Sequence, residues 1–437
     1  MRRIVLLIPV LLIVLYLGAL FLLSTPTSLT LDPQLKAVGM ETPVHLNIDN
    51  RHGVRSVKAY LEQGGNRYPV FEKAEPATRF WFFRKLVKPE DLTFPVGKKQ
   101  ADKLTDGKAK LIVEATGNDF RGETETVTRD VDVSTRPPSI VADGLQHYIN
   151  QGGTELVTFT VGGYWTEAGV RVGKYTFRSF PMPGKSPEQR FSIFAYPWDL
   201  AENVVPVVYA KNPSGAEVTA NFWTKIFPKK FRKRDLDVND AFFQRVVPQI
   251  DKQGSSGDLL QRFLKVNGDL RRENNKTLAD LRLQSADKFL WDGPFQQLGN
   301  SKVESQFADD RSYIYNGKKV DEQMHLGFDL SVTHNVPIEA SNSGKVLLAS
   351  ELGIYGNCVV IDHGYGLQSI YGHLSSFDVK PGDMVKKGQV IGKSGATGLA
   401  GGDHLHYSMQ VDGVQVNPVE WWDAHWIKDR VLSKIQP

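Results

Sequence analysis

His404-Leu405-His406 places two imidazoles two residues apart. On a strand, alternate side chains share a face, so His404 and His406 point together while Leu405, Tyr407, Met409 and Val411 point the other way. Two imidazole nitrogens on one face make a two-point seat for a divalent metal. A second segment, His325-Leu326-Gly327-Phe328-Asp329, adds an imidazole and a carboxylate. In a flat strand its ends would lie about 13 Å apart, too far to share one ion with bonds near ~2.1 Å. Gly327 permits a bend that brings both donors together. One carboxylate and two imidazoles suit Zn2+, and three protein ligands leave a fourth position for water, as in catalytic rather than structural sites. Tyr371-Gly372-His373 ends another strand-like run on a further histidine. Spacing alone leaves open which of these imidazoles are ligands.

The rest of the composition narrows the chemistry. Of the ten histidines, six (His325, His334, His363, His373, His404 and His406) fall within 82 of the 437 residues. The single cysteine, Cys358, excludes an intramolecular disulfide framework, a cysteine-based zinc finger and an iron–sulfur cluster. Any metal must be held by His, Asp or Glu. Fifty-three Lys+Arg against 49 Asp+Glu give a net charge of +4, too small an excess for a dedicated nucleic-acid binder, so no nucleic-acid partner is expected. A hydrophobic share of 41% describes globular material, and the length implies two to four domains.

The elements that must position these residues read as mainly β. Lys345–Ser350, Val359–Asp362, Gln368–His373 and His404–Val411 are strand-like, separated by glycine-containing corners, so a β-rich module at 300–424 carries the site on strands. Ahead of it, 235–290 reads as a helical linker. Leu259, Leu260, Phe263 and Leu264 have helical spacing, with Pro248, Gly254, Gly257 and Gly268 cutting it into short pieces. Period-two stretches such as Val127–Val133 and Val157–Val161, with a joint at Arg136-Pro137-Pro138-Ser139, predict two immunoglobulin-like β-sandwich modules at 27–136 and 139–228. The run Lys225–Arg234 is rich in cations and reads as a solvated linker. At the start, Arg2 and Arg3 precede an apolar run from Ile4 to Leu23, about 30 Å at ~1.5 Å per residue. This predicts an uncleaved transmembrane helix at 4–23, with the lipid bilayer as a partner. The N-terminus would be cytoplasmic, and everything after the helix would work outside the cytoplasm.

His325 to Asp329, Tyr371-Gly372-His373, and Thr397-Gly398 followed by Gly402-Asp403-His404-Leu405-His406 resemble, in this order, the three signature blocks of the lysostaphin-like zinc endopeptidases. Those enzymes cut peptide bonds in bacterial peptidoglycan. The likeness covers about residues 320–420, including Asn417-Pro418, and does not extend to the first 300. The resemblance implies that His325, Asp329 and His406 ligate one Zn2+ per chain, that His373 and His404 share the roles of base and oxyanion support, and that the partner is a peptidoglycan stem peptide. Some members of the family have lost their ligands and act as wall-binding regulators of other hydrolases; all five positions are retained here. His334 stands in a turn where the family often has glycine and is expected in an exposed loop. His363 is expected in a turn, and Cys358 buried and inert.

Overall fold

The computed structural model describes residues 2–254 and 256–435, with side chains described from Pro9 onward. The chain is mainly β and divides into two compact units, one holding residues 1–139, 162–167 and 210–218, the other 140–161, 168–209 and 219–437.

In the first unit, Thr42–Asp49 alternates buried and exposed side chains and pairs on its two edges with Ser28–Leu31 and Glu90–Val96. A five-stranded sheet has Gly107–Gly117 at its centre, flanked by Val54–Gln63 and Thr124–Val133. Val44, Leu46 and Phe94 from one sheet meet Ala59, Leu61 and Val113 from the other in one core. This is how a period-two pattern buries a single face of each sheet.

The structure corrects the expectation of an N-terminal membrane span. Among the described residues, no helix is long and apolar enough to cross a membrane. The segment is helical, α1 at Arg2–Leu23 with Pro9 inside it. The end of α1 makes a few contacts with the protein, while Val10 to Leu15 stay exposed. Leu20 is buried, the Arg121 guanidinium lies 4.1 Å from the Phe21 ring centre, and the Tyr16 hydroxyl donates to the Phe80 carbonyl. The bilayer as a partner loses its support with the span.

In the second unit, strands of one large sheet carry most of the site: β1 (Lys302–Ser305), β4 (Phe328–Ser331), β5 (Gly344–Glu351), β6 (Asn357–Gly364), β7 (Leu367–Leu374), β8 (Met384–Val385), β9 (Leu405–Val411) and β10 (Val414–Val416). Their order is β1-β4-β9-β7-β6-β5-β8, with β10 also on β9. A neighbouring three-stranded sheet joins Lys233–Val238 to the hairpin of β2 (Asp309–Tyr315) and β3 (Lys318–His325). Every residue of β7 and β9 is buried, so both faces of the central strands are covered.

One cover is the helical segment, α2 (Asp240–Ile250), α3 (Leu259–Lys265), a π-helical turn at Val266–Leu270 and α4 (Arg271–Asp280). Asn239 caps α2 by accepting from the Phe242 amide, and Asp258 with Gln261 forms a capping box on α3. Val266, Leu278 and Leu281 pack against Leu347, Cys358, Val360 and Ile370 of the sheet. Gly254 and Gly257 lie in the break between α2 and α3, as their positive φ requires. Gly268 does not end a helix: the chain turns through it as a π-bulge and continues, because sheet packing holds the turn on either side. The other cover is aromatic, with Tyr371, Tyr407, Phe295 and Trp421 in edge-on contact.

Residues 140–161 and 168–209 of the same unit are tied to this module by buried charge. Lys434 donates to Glu155 (2.8 Å) and contacts His147 (3.2 Å). Arg178 holds Asp412 through its amide and its Nε, each at 2.7 Å. Glu420 accepts from the Thr154 amide (2.7 Å) and Asn150 Nδ2 (2.9 Å), and a Cβ on Gly153 would lie 2.5 Å from its carboxylate. Burial, together with nearby Glu155, raises the Glu420 carboxyl to about 7 against those hydrogen bonds. A carboxyl whose folded pKa is raised adds stability at low pH and loses it as pH climbs through the folded value. The stability of the native chain relative to Glu420→Gln should therefore fall by about 2–4 kcal/mol between pH 4.5 and 7.5 in denaturant titrations. A constant gap across that window would show that Glu420 is not titrating as described.

Candidate metal centre

Three ligand atoms converge where β3, β4 and β9 meet. His325 is the last residue of β3, Asp329 lies in β4, and His406 lies in β9 directly opposite Asp329. The bend needed between His325 and Asp329 is a change of sheet: β3 belongs to the hairpin sheet and β4 to the large one. Gly327 sits at that crossing for space. A Cβ there would lie 2.4 Å from Ser408 Oγ and 2.7 Å from the His406 ring.

His325 Nε2 lies 3.0 Å from Asp329 Oδ1 and 3.1 Å from His406 Nδ1, and His406 Nδ1 lies 3.1 Å from the same Oδ1. Hydrogen-bond bookkeeping fixes where the ring protons go. His325 Nδ1 faces the Gln306 carbonyl (3.0 Å), which can only accept, so Nδ1 carries the hydrogen. The Ser408 hydroxyl donates to the Leu326 carbonyl, so its oxygen accepts from His406 Nε2 (3.1 Å). The inward atoms, His325 Nε2 and His406 Nδ1, are then both lone-pair donors. Three electron-pair donors meet with no proton shared between the imidazoles, an arrangement a cation satisfies. A tetrahedral ion with ~2.0–2.1 Å bonds would separate its ligands by roughly 3.3–3.4 Å, close to what is seen. Among the described residues these three are the group of His, Cys, Asp and Glu side chains that can hold a metal ion.

Electrostatics agree with that donor set. Burial opposes the charge on Asp329, but His325, His404 and His406 outweigh it and hold the carboxyl well below its usual range. Burial depresses His325 and drives His406 down to about 4, which favours the uncharged form that ligation needs. Arg311 of β2 donates Nη2 to Asp329 Oδ2 (2.6 Å), which turns Oδ1 toward the imidazoles.

His373 and His404 stand beside the group, their ring centres 4.8 Å apart. His373 Nδ1 donates to the Thr397 carbonyl and His404 Nδ1 to the Gly402 carbonyl, each at 2.8 Å, so each Nε2 is left for the cavity that both rings line. His404 Nε2 is 3.4 Å from Asp329 Oδ1. Burial, then His404 and His406, push His373 well below the usual imidazole range; at His404 the Asp329 carboxylate overcomes burial and raises it. His373 also adopts φ +63°, a left-handed conformation that costs an L residue on the order of 1–3 kcal/mol and marks sites where the surroundings impose it.

All five expected site residues thus gather in one place, lining a polar cavity of about 90 Å³. The imidazole face of β9 does not open straight to solvent. Arg271 and Asn275 of α4 line the same cavity, and Asn275 accepts from the hydroxyl of Tyr355, whose ring meets His406 edge-on. The remaining histidines lie elsewhere. His334 is 78% exposed and pairs with Asp403 (2.7 Å). His363 is not in a turn: it is buried at the end of β6, between the Ser343 carbonyl and Ser369, each at 2.8 Å. Cys358 is buried among apolar side chains, and burial pushes its thiol far up. The basic run is partly engaged, with Arg232 on Asp309 (2.9 Å) and Arg234 on the Glu304 carbonyl (2.7 Å). Sequence reading missed Arg311 and Gln306, which reach the site across a hairpin and a loop. Ser408, two residues after His406 on the same face, was within reach of the period-two rule.

Comparison with known proteins matches residues 323–418 to the model of peptidase family M23. The DD-carboxypeptidase/endopeptidase Mpg of Neisseria meningitidis is 40% identical over 97 residues, 22% of each chain. The peptidoglycan DD-endopeptidase ShyA of Vibrio cholerae is 41% identical over 96 residues, again 22% of each. The match thus spans about a fifth of these relatives' own length. The catalytic domain of lysostaphin from Staphylococcus simulans is 31% identical, with 30% of this chain and 98% of that one covered at a TM-score of 0.26. All three metal-facing residues and both flanking imidazoles fall inside the matched segment, and over residues 323–418 this chain is a member of peptidase family M23.

Proposed function

We propose that the protein is a zinc endopeptidase that cleaves peptide cross-links of bacterial peptidoglycan, working outside the cytoplasm where that polymer lies. The observation that carries this reading is the meeting of His325 Nε2, His406 Nδ1 and Asp329 Oδ1 within 3.1 Å of one another. Nitrogen and carboxylate donors of this kind suit Zn2+, and three of them leave room for a fourth ligand. When bound, the ion would polarise the scissile carbonyl and lower the pKa of water from 15.7 toward ~7. The chain's own side chains do the rest. Gln306 and Ser408 hold the two ligand rings in the required tautomer, and Arg311 keeps Asp329 aimed. His373 and His404, with Nε2 directed into the cavity, move a proton and supply positive charge to the tetrahedral oxyanion, roles assigned to them jointly. The names of the Neisseria and Vibrio relatives, an endopeptidase and a peptidoglycan DD-endopeptidase, favour the wall peptide as substrate.

Mass spectrometry of wall fragments released by the purified full chain tests the reading. Cross-linked stem peptides should be opened, the release should stop with chelator and return with added Zn2+, and release indifferent to chelator would refute it. His406→Ala should lose bound zinc and activity together, whereas His373→Ala should lose at least ~100-fold in kcat while keeping zinc; zinc loss in both would break the division of roles. Arg311→Ala should weaken zinc binding by about 10–100-fold in competition with a chelating dye. An unchanged affinity would leave Arg311 with no part in orienting Asp329.

A further inference from the structure

The cavity over the metal centre carries more positive charge than the centre needs. Arg311 commits Nη2 to Asp329, yet its Nε is buried with no partner. Arg271, the first residue of α4, lines the same cavity and makes no ion pair among the described residues. Its Nε and one terminal nitrogen are held by the Asn267 carbonyl (3.1 Å) and Oδ1 (2.6 Å), and Asn267 is itself anchored on Asp321 (2.7 Å). The guanidinium is therefore braced from behind, and its second terminal nitrogen has no hydrogen-bond partner among the described residues. Asp329 is the one carboxylate among the described residues of the lining. Two fixed guanidiniums and one carboxylate that is already a metal-facing ligand leave an unmatched cationic edge in a polar pocket. A carboxylate matches that edge in charge and in planar geometry.

We propose that the free terminal nitrogen of Arg271, beside the positive charge of Arg311, forms a subsite for a carboxylate, and that the substrate is a peptide bearing a free carboxylate next to the scissile bond. The proposal rests on the peptidase reading above and adds the substrate class to it. Arg271 lies outside residues 323–418, so the matched domain supplies the chemistry and the helical segment supplies the selection.

Two synthetic stem peptides, identical except for a carboxylate or a carboxamide beside the scissile bond, provide the test on the full chain. The native protein should cleave the acid with at least tenfold higher kcat/KM, the difference lying in KM. Arg271→Gln should bring the acid-to-amide ratio to within twofold of unity, and Arg271→Lys should restore part of it. A loss that is merely structural would lower both rates and leave the ratio intact, which would overturn the subsite, as would a native ratio near one. Calorimetry of the same peptides on chelator-treated full chain separates this claim from the one beneath it. Tenfold tighter binding of the acid, abolished in Arg271→Gln, with neither peptide cleaved by the zinc-loaded protein, would sink the peptidase reading and keep the subsite. Equal binding, or none, would sink the subsite.

Discussion

Two imidazole lone pairs and a carboxylate oxygen cannot sit within 3.1 Å of one another unless something forces them there. Their mutual repulsion is what the surrounding structure is built to overcome. Each inward atom is fixed by a hydrogen bond on its far side: Gln306 behind His325, Ser408 behind His406, Arg311 behind Asp329. Those partners in turn come from a loop, a strand and the neighbouring hairpin, so the geometry depends on the large sheet and the three-stranded sheet being held together. Without a cation, such a cluster stores unfavourable electrostatics; with one, the same donors become a preorganised coordination sphere.

The scaffold explains how that arrangement tolerates burial. Both faces of β7 and β9 are covered, by the helical segment on one side and by aromatic side chains on the other. Removing water lowers the effective dielectric and strengthens each polar contact inside. Covering the site has a second consequence. The helical segment brings Arg271 and Asn275 to the cavity, so residues far from the matched domain share its lining. The charged contacts of Glu155, Asp412 and Glu420 tie residues 140–161 and 168–209 to the site-bearing module within the second unit.

Much of the site was legible because it obeys local rules. His404 and His406 share a strand face, Gly327 was read as letting the chain bend between His325 and Asp329, and the block order carried a specific resemblance. Other features were not legible. His363 reads as a turn residue beside Gly364, but its ring is buried against Ser343 and Ser369, a neighbourhood created by strands far apart in sequence. The apolar start of the chain reads as a membrane span, whereas no helix among the described residues is long and apolar enough to cross a membrane; the end of α1 touches Arg121, a contact that lies a hundred residues away in sequence.

The sequence by itself determined the donor types, their order along the chain and the β periodicity that puts them on strands. These are one-dimensional properties, set by residue chemistry and by the two-residue repeat of a strand. Only the tertiary structure decided which ring nitrogen faces inward, that Arg311 braces Asp329, and that α4 roofs the cavity with Arg271. Each of those depends on contacts between elements separated by tens of residues, and no local spacing encodes where such elements meet.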